Sequence, residues 1–376
     1  MNDLECNTPI KRNIAISECK EHNPDDCNRS YYEFFPTVLC DDEERQLATN
    51  STLPLVFAIH CFGCPASTMF PLKQYADLHK LILIVPEGLH HSWNARNCCG
   101  YALDNKIDDI GFIATIQSKL SKEYTFVDPS ASYAIGWSNG GFFVMHGSKL
   151  FRGIAPVSGN IAEISLELQK DDTSDGKALF LHHGMDDHFV RPTGCCDDPN
   201  LPKCCCGIVA NSCTSVFDVY SSWATEVNGC SNDESLFSET SYTNVEEGIQ
   251  CQTSSNCKAN TTICMYEHSG HFNTGPFHIA FPMASEVMDF FARDACQVND
   301  GSWNNTCSCD STSFSGPFCL DEVEDRDEGT EINSIGQLLF MIFVSTFLVL
   351  VSYVTFQKLR KRSGVKYTKV EVEMIM

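Results

Sequence analysis

Two runs of the chain, Leu-Val-Phe-Ala-Ile at 55–59 and Leu-Ile-Leu-Ile-Val-Pro at 81–86, contain no polar side chain. A strand with one face in water alternates apolar and polar residues, whereas a strand covered on both faces is apolar throughout. Such strands belong to parallel sheets sandwiched between helices. The rest of the chain agrees. Strand-like stretches at 31–39, 54–60, 81–86, 132–137, 153–157, 178–183 and 261–266 alternate with helix-like stretches at 69–79, 108–124, 139–150, 216–227 and 277–295. The alternation predicts an α/β domain with a mostly parallel, doubly wound sheet over residues 31–296. Residues 1–30 are polar, hold three cysteines and read as an irregular arm. Two stretches interrupt the pattern: 191–213, with six cysteines, reads as a stapled insertion, and 231–260 as a polar loop.

Cysteine usage indicates the compartment. The 22 cysteines include the neighbours Cys98-Cys99, Cys195-Cys196 and Cys204-Cys205-Cys206, which in an oxidising environment form a disulfide framework. Zinc held by the Cys195–Cys206 group with Asp197 and Asp198 is the rival reading, and it lacks the paired spacing of a zinc site. Sequons at Asn28, Asn50, Asn260 and Asn304 fit the same compartment as N-glycosylation sites. A net charge of −23 argues against nucleic-acid binding, because such a surface repels phosphate.

The uncharged run that begins at Ile335 and ends at Phe356 is long enough to cross the roughly 30 Å hydrocarbon core of a bilayer. Residues 321–331 carry seven acids and one arginine, and Lys358, Arg360, Lys361 and Arg362 follow the run. That asymmetry predicts a single-pass membrane protein whose body is extracellular or lumenal, with a basic cytosolic tail over 357–376. The start at Met1 shows no signal peptide. The expectation is an N-terminus incomplete or processed, with a tail-anchored cytosolic protein as the alternative. Between the domain and the span, 297–333 combines an acidic stalk with the remainder of a Cys-x10-Cys-x-Cys-x9-Cys spacing that starts at Cys296, similar to half an EGF-like module. Tyr367-Thr368-Lys369-Val370 fits a Tyr-x-x-apolar signal for a sorting adaptor.

The chemistry centres on Gly136-Trp137-Ser138-Asn139-Gly140, a G-x-S-x-G placed between a strand and a helical run. The turn must be tight, which is why glycines flank the serine. It lifts the Ser138 hydroxyl from the sheet and sets the Asn139 N–H at a helix N-terminus, where an oxyanion would be stabilised. A serine needs a base, and an acid and a histidine follow in the order this fold uses. Gly184-Met185-Asp186-Asp187 and His268-Ser269-Gly270-His271 both end strands. Asp187 and His271 are the expected acid and base, with Asp186 and His268 as open alternatives. Cys61 or Phe62, after the strand at 54–60, would supply the second oxyanion N–H. Trp93, Trp137 and Phe62 are candidates to wall the substrate pocket. No metal or organic cofactor is called for.

Residues 31–296 resemble the polyhydroxybutyrate depolymerase and feruloyl esterase family of α/β-hydrolases. The matching stretches are Val85-Pro86-Glu87-Gly88, Ser92-Trp93-Asn94-Ala95, Cys98-Cys99-Gly100 and Asp108-Asp109-Ile110-Gly111-Phe112. They continue with Gly136–Gly141, His183-Gly184-x-x-Asp187, Trp223-Ala224-x-x-x-Asn228-Gly229-Cys230 and Gly270-His271. The resemblance implies hydrolysis of short polyester, hydroxycinnamoyl or acetyl esters through an acyl-enzyme on Ser138, Asp187 and His271. It also implies paired cysteines in the body, with Cys98 or Cys99 among them. The family usually has His-Gly-Cys where this chain has His60-Cys61-Phe62, and the cysteine-rich insertion follows the acid loop directly. The anchor and stalk depart from the secreted members. They leave a second expectation: an adhesion or binding receptor on a degenerate hydrolase scaffold.

Overall fold

Leu55, Phe57 and Ile59 turn to one face of their strand and Val56 and Ala58 to the other, and all five are fully buried. Two apolar cores, one on each side of a single sheet, account for the unbroken apolar run. The computed structural model describes residues 5–16, 24–40, 52–96, 98–161, 176–194, 214–231, 243–246, 248–272, 282–298, 314–315 and 321–322. Residues 1–321 form one unit, to which the sheet, helices and site belong; of a second unit, 322–376, only Glu322 is described.

The strands of the main sheet are β1 (Ile10–Ala15), β2 (Asn28–Phe34), β3 (Leu53–Ile59), β4 (Ile82–Pro86), β5 (Val127–Trp137), β6 (Gly153–Val157), β7 (Ala178–Gly184), β8 (Thr243–Glu246), β9 (Ile249–Thr253) and β10 (Thr261–Tyr266). They form one sheet in the order β1-β2-β4-β3-β5-β6-β7-β10-β9-β8. The six strands from β4 to β10 are parallel neighbours, and the two pairs at the edges run antiparallel. The principal helices are α1 (Lys73–Leu78), α2 (Gly100–Asp104), α3 (Asp109–Glu123), α4 (Asn139–His146), α5 (Val216–Ser222) and α6 (Pro282–Val298). One core takes Phe112, Ile113, Ile116 and Leu120 of α3 and Val216, Val219 and Tyr220 of α5. The other takes Ala76 of α1 and Met283, Ala284, Val287, Met288 and Phe291 of α6. A mostly parallel sheet with helices on both faces and a strand–serine–helix turn at its centre fits the α/β-hydrolase fold.

Several sequence expectations need correction. The N-terminal arm is not irregular: β1 pairs with β2 from Ile10↔Glu33 to Ala15↔Asn28. The strand expected at 31–39 runs from Asn28 to Phe34 and gives way to a short 3-10 turn after Pro36. The 231–260 stretch contains β8 and β9, and Cys251 of β9 is bonded to its cross-strand partner Cys264. The helix expected at 69–79 begins as a 3-10 segment at Ala66, because Pro71 has no N–H for α-helical bonding, and becomes α1 only at Lys73. The helix expected at 139–150 ends at His146, before Gly147.

Further disulfides join Cys6–Cys40, Cys61–Cys64, Cys98–Cys99 and Cys230–Cys257. Asn28 is exposed at the start of β2, and Asn260 is half-buried just before β10. Asn50, Asn304, the Cys195–Cys206 group, the half-EGF-like spacing, the run ending at Phe356 and Tyr367 lie outside the described residues. Among the described residues, no helix is long and apolar enough to cross a membrane.

Candidate active site

Ser138 sits between β5 and α4 with φ 56° and ψ −119°, backbone that a non-glycine residue adopts only under constraint. Its N–H donates to the Val157 carbonyl (2.9 Å), and its own carbonyl accepts from the Phe142 N–H (3.0 Å). The flanking glycines have steric reasons. A Cβ on Gly136 would collide with the Gly140 carbonyl, and one on Gly140 with the carbonyls of Ile59 and His60 at the end of β3. The helix therefore starts pressed against two strand ends, with the serine side chain standing at the sheet rim.

Parallel pairing of β7 with β10 places Gly184 opposite Tyr266, so the loops that follow both strands leave from the same edge. The Asp186 N–H donates to the Ser269 carbonyl (3.0 Å) and the Met185 N–H to the Tyr266 carbonyl (2.9 Å). A Cβ on Gly184 would strike Ser269. These bonds bring Asp187 and His271 face to face. The His271 Nδ1 lies 2.8 Å from Asp187 Oδ2, and its Nε2 lies 2.8 Å from Ser138 Oγ. Asp187 Oδ1 accepts from the N–H groups of Phe189 (2.9 Å) and Val190 (2.8 Å), which fixes the carboxylate plane. The three side chains are almost buried: Ser138 and His271 are 8% exposed and Asp187 2%. His183 stands 3.5 Å from the same carboxylate and bonds through Nε2 to the Val190 carbonyl (2.7 Å). Burial lowers its pKa and keeps it neutral, so it does not compete with His271 for the carboxylate charge.

The alternatives Asp186 and His268 stand apart from this arrangement. Their side chains are 60% and 92% exposed and 4.0 Å from each other, a pair in solvent.

Asn139 opens α4, so its N–H has no acceptor within the helix and lies next to the serine. Its side chain has a separate task. Oδ1 accepts from the Trp93 N–H (2.8 Å) and Nδ2 donates to the Trp93 carbonyl (3.0 Å), clamping the 93 loop to the elbow. Cys61 and Phe62 follow β3, and the Cys61–Cys64 disulfide closes their loop. The Gly63 N–H reaches the His91 carbonyl (2.7 Å). His60 fastens the loop from inside: Nδ1 donates to the Cys61 carbonyl (2.9 Å), and Nε2 accepts the Gly88 N–H (2.9 Å). Burial pushes its pKa down to about 4, and only the neutral ring can serve both bonds. A cross-link and a buried histidine thus hold a loop that lacks the expected glycine.

The two tryptophans are not pocket walls. Trp93 is fully buried, gives its indole N–H to the His60 carbonyl (3.0 Å) and packs on Phe143. Trp137 is 1% exposed and gives its N–H to the His271 carbonyl (3.3 Å). An indole buried near a rim needs an acceptor, and here each acceptor is a backbone carbonyl of the site. Phe62 is 41% exposed, with its ring against Gly100. Among the described residues, two exposed aromatics stand beside the histidine: Phe189 and Phe272, 48% and 55% exposed, their ring centres each 5.4 Å from that of His271. Sequence reasoning missed both, although one follows His271 directly and the other lies two residues after Asp187.

No family model and no curated protein matches this chain. Solved structures resemble it at low identity. An acetyl xylan esterase from Aspergillus awamori is 13% identical over 74% of this chain and 99% of its own, with a TM-score of 0.44. A variant of Arabidopsis thaliana SOBER1 is 13% identical over 64% and 99%, with a TM-score of 0.39. A thermostable esterase is 20% identical with a TM-score of 0.36, covering 49% of this chain, which spans about half of that protein's length. The chemistry is read from the site itself. A hydroxyl bonded to an imidazole, itself bonded to a buried carboxylate and beside a first-turn helix N–H, is arranged for nucleophilic attack on a carbonyl.

Proposed function

We propose that this chain is a serine esterase that hydrolyses carboxylic esters through an acyl-enzyme. Ser138 is the nucleophile and His271 the general base, then general acid. Asp187 holds the imidazole tautomer and stabilises its charged form. The tetrahedral oxyanion takes the N–H of Asn139 and that of Cys61 or Phe62. The observation that carries the reading is the unbroken relay: two contacts of 2.8 Å joining side chains 133 and 84 positions apart in sequence. It also supports an enzyme over a receptor on a degenerate scaffold, since loss of selection on catalysis would leave no reason to keep a strained serine aligned.

The motifs shared with polyhydroxybutyrate depolymerases and feruloyl esterases favour short polyester, hydroxycinnamoyl or acetyl esters. Cysteine pairing and sequon placement favour an extracellular or lumenal body, glycosylated and anchored by the span from Ile335 to Phe356, with Tyr367 available to a sorting adaptor. Ser138→Ala should lower hydrolysis of p-nitrophenyl acetate or butyrate by at least about a thousandfold while the circular dichroism spectrum stays that of the wild type. Retained hydrolysis in that variant would remove the assignment.

A further inference from the structure

Deepening the esterase reading on which it rests, we infer that the alcohol part of the substrate is apolar and that Phe189 and Phe272 form the seat that selects it. The two rings meet edge to face at 5.3 Å, and each ring centre lies 5.4 Å from the imidazole of His271. They are about half exposed, and of the five exposed large apolar side chains among the described residues these two are the pair whose rings lie against His271. Contiguous apolar surface beside a nearly buried polar relay is surface left for a ligand to cover.

Which part of an ester covers it follows from the reaction. In the first half, the Ser138 Oγ–carbon bond forms and the bond from carbon to alcohol oxygen breaks. The hydroxyl proton passes through His271 Nε2 to that departing oxygen, which must therefore come within about 3 Å of Nε2. The carbonyl oxygen points the other way, toward Asn139 and the Cys61–Phe62 loop. The alcohol chain thus leaves beside the imidazole, where Phe189 and Phe272 stand. In the second half, water adds to the acyl carbon, its proton goes to His271, and Ser138 regains it as the acid departs. The alcohol has gone by then, so a seat for it acts on acylation alone.

Both rings are held by the relay's own framework. The Phe189 N–H donates to Asp187 Oδ1 at 2.9 Å, and Phe272 adjoins His271 in the chain and packs edge-on to Trp137 at 6.3 Å. The seat is therefore placed by the same bonds that align the catalytic groups.

The test compares two ester series on the whole protein: acetates of methyl, butyl, hexyl and benzyl alcohol, and methyl esters of acetic, butyric and hexanoic acid. Across the acetates, kcat/KM should climb by roughly tenfold or more from methyl to hexyl or benzyl, while decay of the acetyl-enzyme is the same for all of them. Phe189→Ala and Phe272→Ala should each flatten that climb, whereas Leu78→Ala, an exposed apolar residue on α1, should leave it in place. The wild-type series decides even if a variant fails to fold. A flat alcohol series, or a preference that follows acyl length alone, would overturn the alcohol seat while leaving the esterase intact. No hydrolysis of any ester in either series would overturn the esterase reading and the seat together.

Discussion

The centre of the sheet and its two edges are held together by different physics. In β3 and β4 every residue is buried, and cores on both faces supply the stability through apolar burial. The edge strand β1 has one buried residue in six, and β9 has none fully buried. There covalent links substitute: Cys6–Cys40 ties the segment before β1 to the turn after β2, and Cys251–Cys264 joins β9 to β10. A cross-link acts chiefly on the unfolded chain, so it suits segments with little to bury. The serine, acid, base and oxyanion loop all hang from strands of the central group. The site is thus built where burial sets the geometry, and Cys6–Cys40 and Cys251–Cys264 guard the flanks, while Cys61–Cys64 closes the oxyanion loop and Cys98–Cys99 lies in the central core beside Asn139.

Mutations can break this contrast at either end. Phe57→Ala, at a fully buried position packed on Phe151, should cost about 3–5 kcal/mol in urea unfolding. Replacing Cys251 and Cys264 together by alanine opens a link across 13 positions and should cost about 3 kcal/mol, with esterase activity kept under native conditions. If the edge pair proved as costly to activity as to stability, the division between flank and centre would fall. Acid probes the centre in another way. His60 has a folded pKa of about 4, below the ordinary value of 6.5. Its contribution is fully present above pH 6.5. Below that the unfolded chain binds the proton first, so stability falls as pH drops and the contribution is gone near pH 4, a total of about 3 kcal/mol. His60→Gln should remove about one proton's worth of that slope when unfolding free energies are measured at pH 7, 6, 5 and 4. The smallest effect belongs to a helix end. Asp108 accepts the Gly111 N–H at 2.8 Å at the start of α3, and Asp108→Ala should cost about 1 kcal/mol by the same urea titration.

What could be read from the sequence follows the same division. Central strands announce themselves because an apolar run needs no partner to be recognised. β1, Ile-Lys-Arg-Asn-Ile-Ala, and β9, Ile-Gln-Cys-Gln-Thr, are strands only because β2 and β10 offer them hydrogen bonds, and nothing local says so. The elbow was legible because its glycines, serine and flanking elements carry one steric requirement. The Gly270-His271 match favours His271 over His268, but the physical reason, which of two nearby rings turns inward across the β7–β10 pairing, is not local to the sequence. Trp93 and Trp137 looked like pocket walls, yet their indole N–H groups are spent on backbone carbonyls in the interior. The phenylalanines, which need no acceptor, are the rings left in the open.

The central claim, that Ser138 is activated by His271, is tested most directly by reacting the folded protein with a fluorophosphonate and locating the adduct by peptide mass spectrometry. One adduct per chain on Ser138, lost in His271→Ala and sharply slowed in Asp187→Asn, is the expected result. Failure to react, or an adduct formed equally well without the imidazole, would contradict it.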